Sequence, residues 1–380
     1  MIRVFLTLPR RVNFKQMGRL GFHHESTYHE WFSKDLGVKP FNEGLIKSRG
    51  SGDWFVIFDP SFLPKSGKKT PHIGRFWSGC AQAAKRGLEI GAFAVGDLGH
   101  NTAFHLTASL TPAAAELKKE GRTLIDHYLG EVAKNLPSIA QFGNKLVVDG
   151  YFGVATFVKP VAEMGIEVIS CLRSNAAVFY APDPPRAPKR GRPRKKGARI
   201  DWKNPDESRL PVVFENGEKR LRAGLVHVKA FKRMVKLAAV EFLRPDGTLI
   251  ARKLLFSTDL KTDPVLIERQ FKGRFQIEFL FRDAKQFTGL AHCQSTNQTK
   301  IENHVNLSLT SVSVANMAHH LEQDPLAKTP FSMNQITDYY RTSYLIDRFS
   351  EALGLNPIQT KNNPAIKKLL FSSPFHLLAA

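Results

Sequence analysis

The sequence predicts an α/β protein built on a mixed sheet, interrupted by a β-rich insertion and flanked by helical N- and C-terminal regions. Three observations carry this. Residues 54–171 alternate short apolar runs with helical stretches. Residues 211–257 change to apolar–polar alternation. Helical periodicity then returns near Pro264 and continues to the C-terminus.

Taken in order, Phe14, Met17, Leu20, Tyr28 and Trp31-Phe32 recur at roughly helical spacing in residues 1–50. This region reads equally as a small DNA-contacting unit and as a helical lead-in packed on the main body. Trp54 to Phe58 is an apolar run that Asp59-Pro60 is expected to end, which makes a buried strand with an acid at its carboxyl end. Gly87 to Asp97 and Thr102 to Thr111 continue it as a three-strand meander. Pro112 opens a helix expected to reach about Asn135, because proline is tolerated in a first turn. Lys145 to Val148 is a further strand stopped by Asp149, residues 153–164 form a helix, and Ile166 to Cys171 form a fifth strand. Asp59 and Asp149 thus stand at the carboxyl ends of strands that can be neighbours. Residues 182–205 are proline-rich and basic and read as an exposed arm. The insertion follows, with Pro245-Asp-Gly247 as a turn, and then helices broken by loops at 287–299, 324–331 and 354–365.

The 380 residues carry 55 Lys and Arg against 34 Asp and Glu, a formal charge of +21, and 42% are hydrophobic. That balance fills a core and excludes a wholly disordered chain. The surplus of positive charge predicts a polyanionic partner, with a membrane surface the weaker rival because no basic amphipathic helix stands out. No apolar run has membrane-spanning length, and the first apolar stretch is broken by Pro9 and two arginines, so an intracellular, cytoplasmic protein is expected. Cys80, Cys171 and Cys293 are isolated and argue against a disulfide framework.

On a helix over Ile267 to Gly289, Phe271, Arg274, Glu278 and Lys285 fall within roughly 60° of one another. One face then carries a carboxylate between two cations, beside an apolar stripe of Ile277, Phe281 and Ala284. Alone, this face reads as solvated ion pairs. With Asp59 and Asp149 it completes three acids, the hard-oxygen set that two Mg²⁺ ions need for phosphodiester chemistry, leaving Arg274 and Lys285 for DNA phosphates. Asp97, Asp259 and Asp283 read as structural acids, and His72, His100 and His105 have no metal-ligand spacing. Lys65-Ser-Gly-Lys-Lys69 lacks the glycine of a phosphate loop, which argues against an ATPase. As a basic loop after the first acid, Lys65, Lys68 and Lys69 are candidate DNA contacts.

Phe271-x2-Arg274-x3-Glu278-x6-Lys285 resembles the Tyr-Arg-Glu-Lys signature of the DDE transposases of bacterial insertion sequences, in the large family numbered four. Ser257-Thr-Asp-Leu260 and Gly289-Leu290 resemble its text around the last carboxylate. Asp59-Pro-Ser-Phe-Leu-Pro-Lys-Ser-Gly67 resembles the first acidic motif, and Val148-Asp149-Gly-Tyr-Phe152 the second. The resemblance covers about residues 54–310, with Phe271 in place of the tyrosine. It implies a ribonuclease-H-like core in two parts, 51–172 and 258–310, around an insertion at 173–257 whose basic arm spans 184–200, with a C-terminal helical region at 311–380. It further implies catalytic, metal-binding Asp59, Asp149 and Glu278, two Mg²⁺ (or Mn²⁺), cut-and-paste transposition with second-strand hairpins, and a homodimer on double-stranded DNA.

Arg190-Gly-Arg192-Pro193, continued by Arg194, matches an AT-hook, in which arginines enter a narrow minor groove; a phosphate-contacting loop is the plainer reading. Trp202 nearby reads as a packing aromatic or as a platform for an unpaired base. Two rivals to the transposase remain, a catalytically decayed protein occupying element ends and a stand-alone nuclease.

Overall fold

A computed structural model describes residues 1–8, 11–183, 194–322 and 330–371. Four short helices open the chain: α1 (Ile2–Thr7), α2 (Phe14–Leu20), α3 (Glu25–Trp31) and α4 (Val38–Arg49). Asn13 caps α2 by accepting from Gln16 N. Phe5, Met17, Tyr28 and Phe32 form a small core with Leu307, so this region packs on the C-terminal helices as a lead-in would.

The predicted meander is present as β1 (Trp54–Pro64), β3 (Ala83–Asp97) and β4 (Thr102–Leu110), with an unforeseen strand β2 (Gly74–Ser78) ahead of β3. Contrary to expectation, Asp59-Pro60 does not end β1. Beside β5 (Lys145–Val147), β1 pairs only through Val56 and Ile57, while its other edge stays paired with β3 as far as Pro64. Beyond Ile57 one edge has therefore lost its neighbour, and a proline costs little there.

The single helix expected from Pro112 is three: α5 (Ala114–Lys119), α6 (Leu124–Lys134) and α7 (Leu136–Gln141). Gly121, at φ +68°, breaks it, and Thr123 with Asp126 restarts it as a capping box. Next come α8 (Ala155–Glu163), β6 (Glu167–Leu172) and β7 (Val178–Tyr180).

The insertion supplies β8 (Val212–Asn216), β9 (Lys219–Val228), β10 (Arg233–Leu243) and β11 (Leu249–Ser257). It forms no separate layer: β11 pairs antiparallel with β6, and one sheet runs β2-β3-β1-β5-β6-β11-β10-β9-β7, with β4 on β3 and β8 on β9. The β1–β5 and β5–β6 pairs are parallel, and the other pairs are antiparallel. This is the mixed α/β architecture expected of a ribonuclease-H-like core.

After the insertion, the expected helix over 267–289 is two, α9 (Pro264–Gly273) and α10 (Gln276–Phe287). At the break, Ile277 and Glu278 donate to carbonyls only three residues back, so the chain tightens and changes direction. Then follow α11 (Gln298–Glu322), α12 (Met333–Ala352), α13 (Pro357–Asn362) and α14 (Pro364–Phe371), with α13 and the start of α14 lying where a loop at 354–365 was expected. Among the described residues no helix is long and apolar enough to cross a membrane.

Strand alternation divides two cores. Val56, Phe58, Phe93 and Leu146 face one side, with Tyr128 and Phe157 from α6 and α8. Phe55, Ile57, Ala92 and Val147 face the other, with Ile277, Phe281 and Ala284 of α10. At Gly273, a Cβ would come 2.8 Å from the Phe55 ring, so glycine lets the end of α9 sit directly on β1.

Candidate active site

The parallel register places the two aspartates. Ile57 of β1 is opposite Val147 of β5, and Asp59 and Asp149 each lie two residues further on. Strand alternation turns both toward the face covered by α9 and α10, with Asp59 inside β1 and Asp149 just past the end of β5, on strands about 4.8 Å apart. Asp149 follows the last paired residue of β5. Its Oδ1 accepts from Tyr151 N at 3.0 Å and its carbonyl from Ser170 Oγ at 2.7 Å, which fixes the turn.

The helical face arrives from the other direction. Arg274, in the break between α9 and α10, places Nη1 3.7 Å from Asp59 Oδ1 and Nη2 3.4 Å from Glu278 Oε1. Its Nε is buried with no partner. Phe271 lies below, its ring centre 5.9 Å from the guanidinium carbon. Lys285 donates to Ser61 Oγ at 3.0 Å, on the same strand face as Asp59.

The Asp59 side chain is only 15% exposed. Burial raises its pKa to about 7; Arg274 opposes this, and Asp149, Glu278 and Glu89 add to it. Burial lowers the pKa of Lys285, with Cys80 and Asp59 opposing. Two of the acids that bear on Asp59, Asp149 and Glu278, are those read from the sequence. The third, Glu89 on β3, was missed. It is buried on the opposite sheet face, and Tyr128 Oη donates to its Oε1 at 2.5 Å. A lone glutamate inside the apolar run Leu88 to Val95 was the available signal.

Some expected contacts are engaged elsewhere. Lys65 donates to the Cys293 carbonyl at 2.6 Å, whereas Lys68 and Lys69 are exposed in the same loop. Arg194 is exposed, while Arg190 and Arg192 lie outside the described residues. Trp202 packs against the core under Arg252, whose guanidinium carbon is 5.1 Å from the ring centre, as the packing reading expected. Asp97 accepts from Ser51 N, Ser51 Oγ and Trp54 Nε1, and thus acts as a structural acid.

As the side chains stand, no three His, Cys, Asp or Glu groups among the described residues are gathered closely enough to hold an ion. Arg274 occupies the space between Asp59 and Glu278 instead. The donor chemistry nonetheless fits hard divalent cations. The acids offer oxygen ligands, and among the described residues the one ion pair of Asp59 is with a guanidinium whose Nε is itself unpaired.

Residues 51–313 match the family model described as transposase DDE domain. No curated protein matches the chain. The match spans about two thirds of the sequence, and the chain belongs to that family.

Proposed function

From a DDE transposase, a family of DNA-acting enzymes that use divalent metal ions, we propose a cut-and-paste enzyme of the type carrying the Tyr-Arg-Glu-Lys signature. It cleaves insertion-sequence ends and joins the freed 3′ hydroxyl to target DNA. One observation carries this reading: the register that sets Asp59 and Asp149 side by side, facing Arg274 and Glu278.

In this proposal Asp59, Asp149 and Glu278 hold two Mg²⁺, for which Mn²⁺ can substitute. When bound, the ions supply Lewis acidity that activates the attacking oxygen and neutralises the leaving one. The chain's own residues do the rest. Arg274, released from Asp59 and Glu278, would turn its planar guanidinium to a phosphate flanking the cut. Lys285 leaves Ser61 for the next phosphate. Phe271 supports the guanidinium from below, a packing role that needs no tyrosine hydroxyl. Lys68, Lys69 and the basic arm with Arg190, Arg192 and Arg194 hold the duplex further out. Lys65 ties its loop to Cys293, within reach of DNA once released. Two copies on paired ends, in the cytoplasm on the nucleoid, complete the proposal.

The test incubates the protein with DNA carrying the flanks of its own gene, with Mg²⁺, with Ca²⁺ and without either. Cleavage with Mg²⁺ that is lost in Asp149→Asn, followed by joining to target, supports the proposal. Binding without cleavage under every cation identifies a DNA-occupying protein instead. Cleavage without joining identifies a nuclease.

A further inference from the structure

Residues 60–88 hold six Lys or Arg and no Asp or Glu. Within this stretch β2 and the start of β3 form a hairpin with Arg75 opposite Arg86, Trp77 opposite Ala84 and Ser78 opposite Ala83. Alternation puts Arg75, Trp77, Ala84 and Arg86 on one face and Phe76 with Lys85 on the other. Phe76 is buried and anchors the hairpin. Trp77 is 60% exposed, and among the described residues no ring or cation stacks on it. Ala84 across from it leaves the indole uncovered. Arg75 lies across the same face, donating to the Ala84 carbonyl at 3.1 Å.

The hairpin adjoins the candidate active site. Gly87, at its base, is where β3 leaves β1: a Cβ there would lie 2.4 Å from the Leu63 carbonyl oxygen, so only glycine allows the crossing. Three residues along β3 from Gly87, Ile90 lies opposite Ser61, the hydroxyl that receives Lys285.

An exposed indole next to a pair of arginines on an acid-free finger is a sequence-tolerant platform for nucleic acid, since every base offers a π-face and cations follow the backbone. A protein-docking aromatic would be expected among further apolar groups, and this face offers cations instead. We propose that Trp77 stacks on an unpaired base of the strand being cut, while Arg75 and Arg86 hold the adjoining phosphates. The inference rests on the DNA-cleaving reading for its setting, but its test does not use cleavage.

The test measures binding of the full chain to fluorescein-labelled dT15 and to a 20-bp mixed-sequence duplex by anisotropy in EDTA. Trp77→Ala should weaken dT15 binding about tenfold, the effect of one base–aromatic stack, and leave duplex binding within about twofold. Trp77→Phe should keep dT15 affinity within about threefold while abolishing the quenching of protein fluorescence that dT15 causes in the wild type. An unchanged dT15 affinity in Trp77→Ala, or equal losses on both probes, overturns the proposal. Undiminished quenching in Trp77→Phe does so as well and assigns the signal to another tryptophan. Because no divalent cation is present, failure of the three-acid reading leaves this result intact.

Discussion

Two places in the sheet bury a carboxylate among arginines, and they are built to opposite ends. On β10, Glu241 receives Arg252 Nε and Nη2 on one oxygen at 2.8 and 2.6 Å, and Arg222 Nε on the other at 3.4 Å. On β1, Asp59 has one guanidinium at 3.7 Å and three acids bearing on it. The first acid is saturated by the cations that link three strands of the insertion. The second is left short of positive charge, which a bound cation would supply. A buried charge with its partners in place is architecture, and one held against its neighbours marks chemistry.

The largest expected effect tests that contrast directly. Asp59→Asn or Glu278→Gln should lower end cleavage by about 10³-fold, whereas Glu241→Gln should leave the catalytic rate of the folded protein near wild type. Gel assays of cleaved ends decide this, and substantial activity in Asp59→Asn breaks the comparison.

Stability should respond in the reverse sense. Glu241→Ala strands Arg222 and Arg252 and should cost about 3 kcal/mol by urea unfolding. Asp59→Asn should stabilise the cation-free protein by a few kcal/mol near pH 8. A folded-state pKa of about 7, above the ordinary carboxylate value of 3.8, means that the wild type carries no Asp59 penalty below about pH 4. The penalty then grows until pH rises through about 7. The difference in unfolding free energy between wild type and Asp59→Asn, measured from pH 4 to 8 in EDTA, should follow that curve. A flat difference refutes it.

The same titration should govern activity. At sub-saturating Mg²⁺, cleavage should rise with pH through about 7 as Asp59 ionises, and saturating Mg²⁺ should move that midpoint to lower pH. A midpoint that ignores Mg²⁺ concentration means that Asp59 does not take the ion.

The smallest effect compares paired and unpaired lysines. Lys68→Gln, at an exposed amine, should reduce the salt slope of DNA binding by about 1. Lys65→Gln, whose amine is held by Cys293, should change it by less than half as much in the same titration.

Several features were legible because their cause is local. Apolar runs and their flanking acids located β1, β5 and β6, and the stripe of Ile277, Phe281 and Ala284 identified the buried side of α10. Other features were not. β2 is short and basic, so its alternation carries little apolar signal. Pro60 looked like a strand end because the loss of β5 as a neighbour cannot be read from β1. The break at Arg274 and Phe275 has no proline or glycine inside it; packing of Gly273 on Phe55 accompanies it. Lys65 looked like its neighbours until Cys293, far along the chain, was placed beside it.

By itself the sequence determined the layer order, the basic character and the acids that carry a cation-binding reading, because periodicity, charge and short motifs are properties of neighbouring residues. The tertiary structure alone decided that Ile57 meets Val147 and so aligns two aspartates ninety residues apart. It also decided that the insertion lengthens the same sheet, which cations are already paired, and that one indole stands uncovered beside the site. Those outcomes depend on pairing and burial between distant segments, which no window of sequence contains.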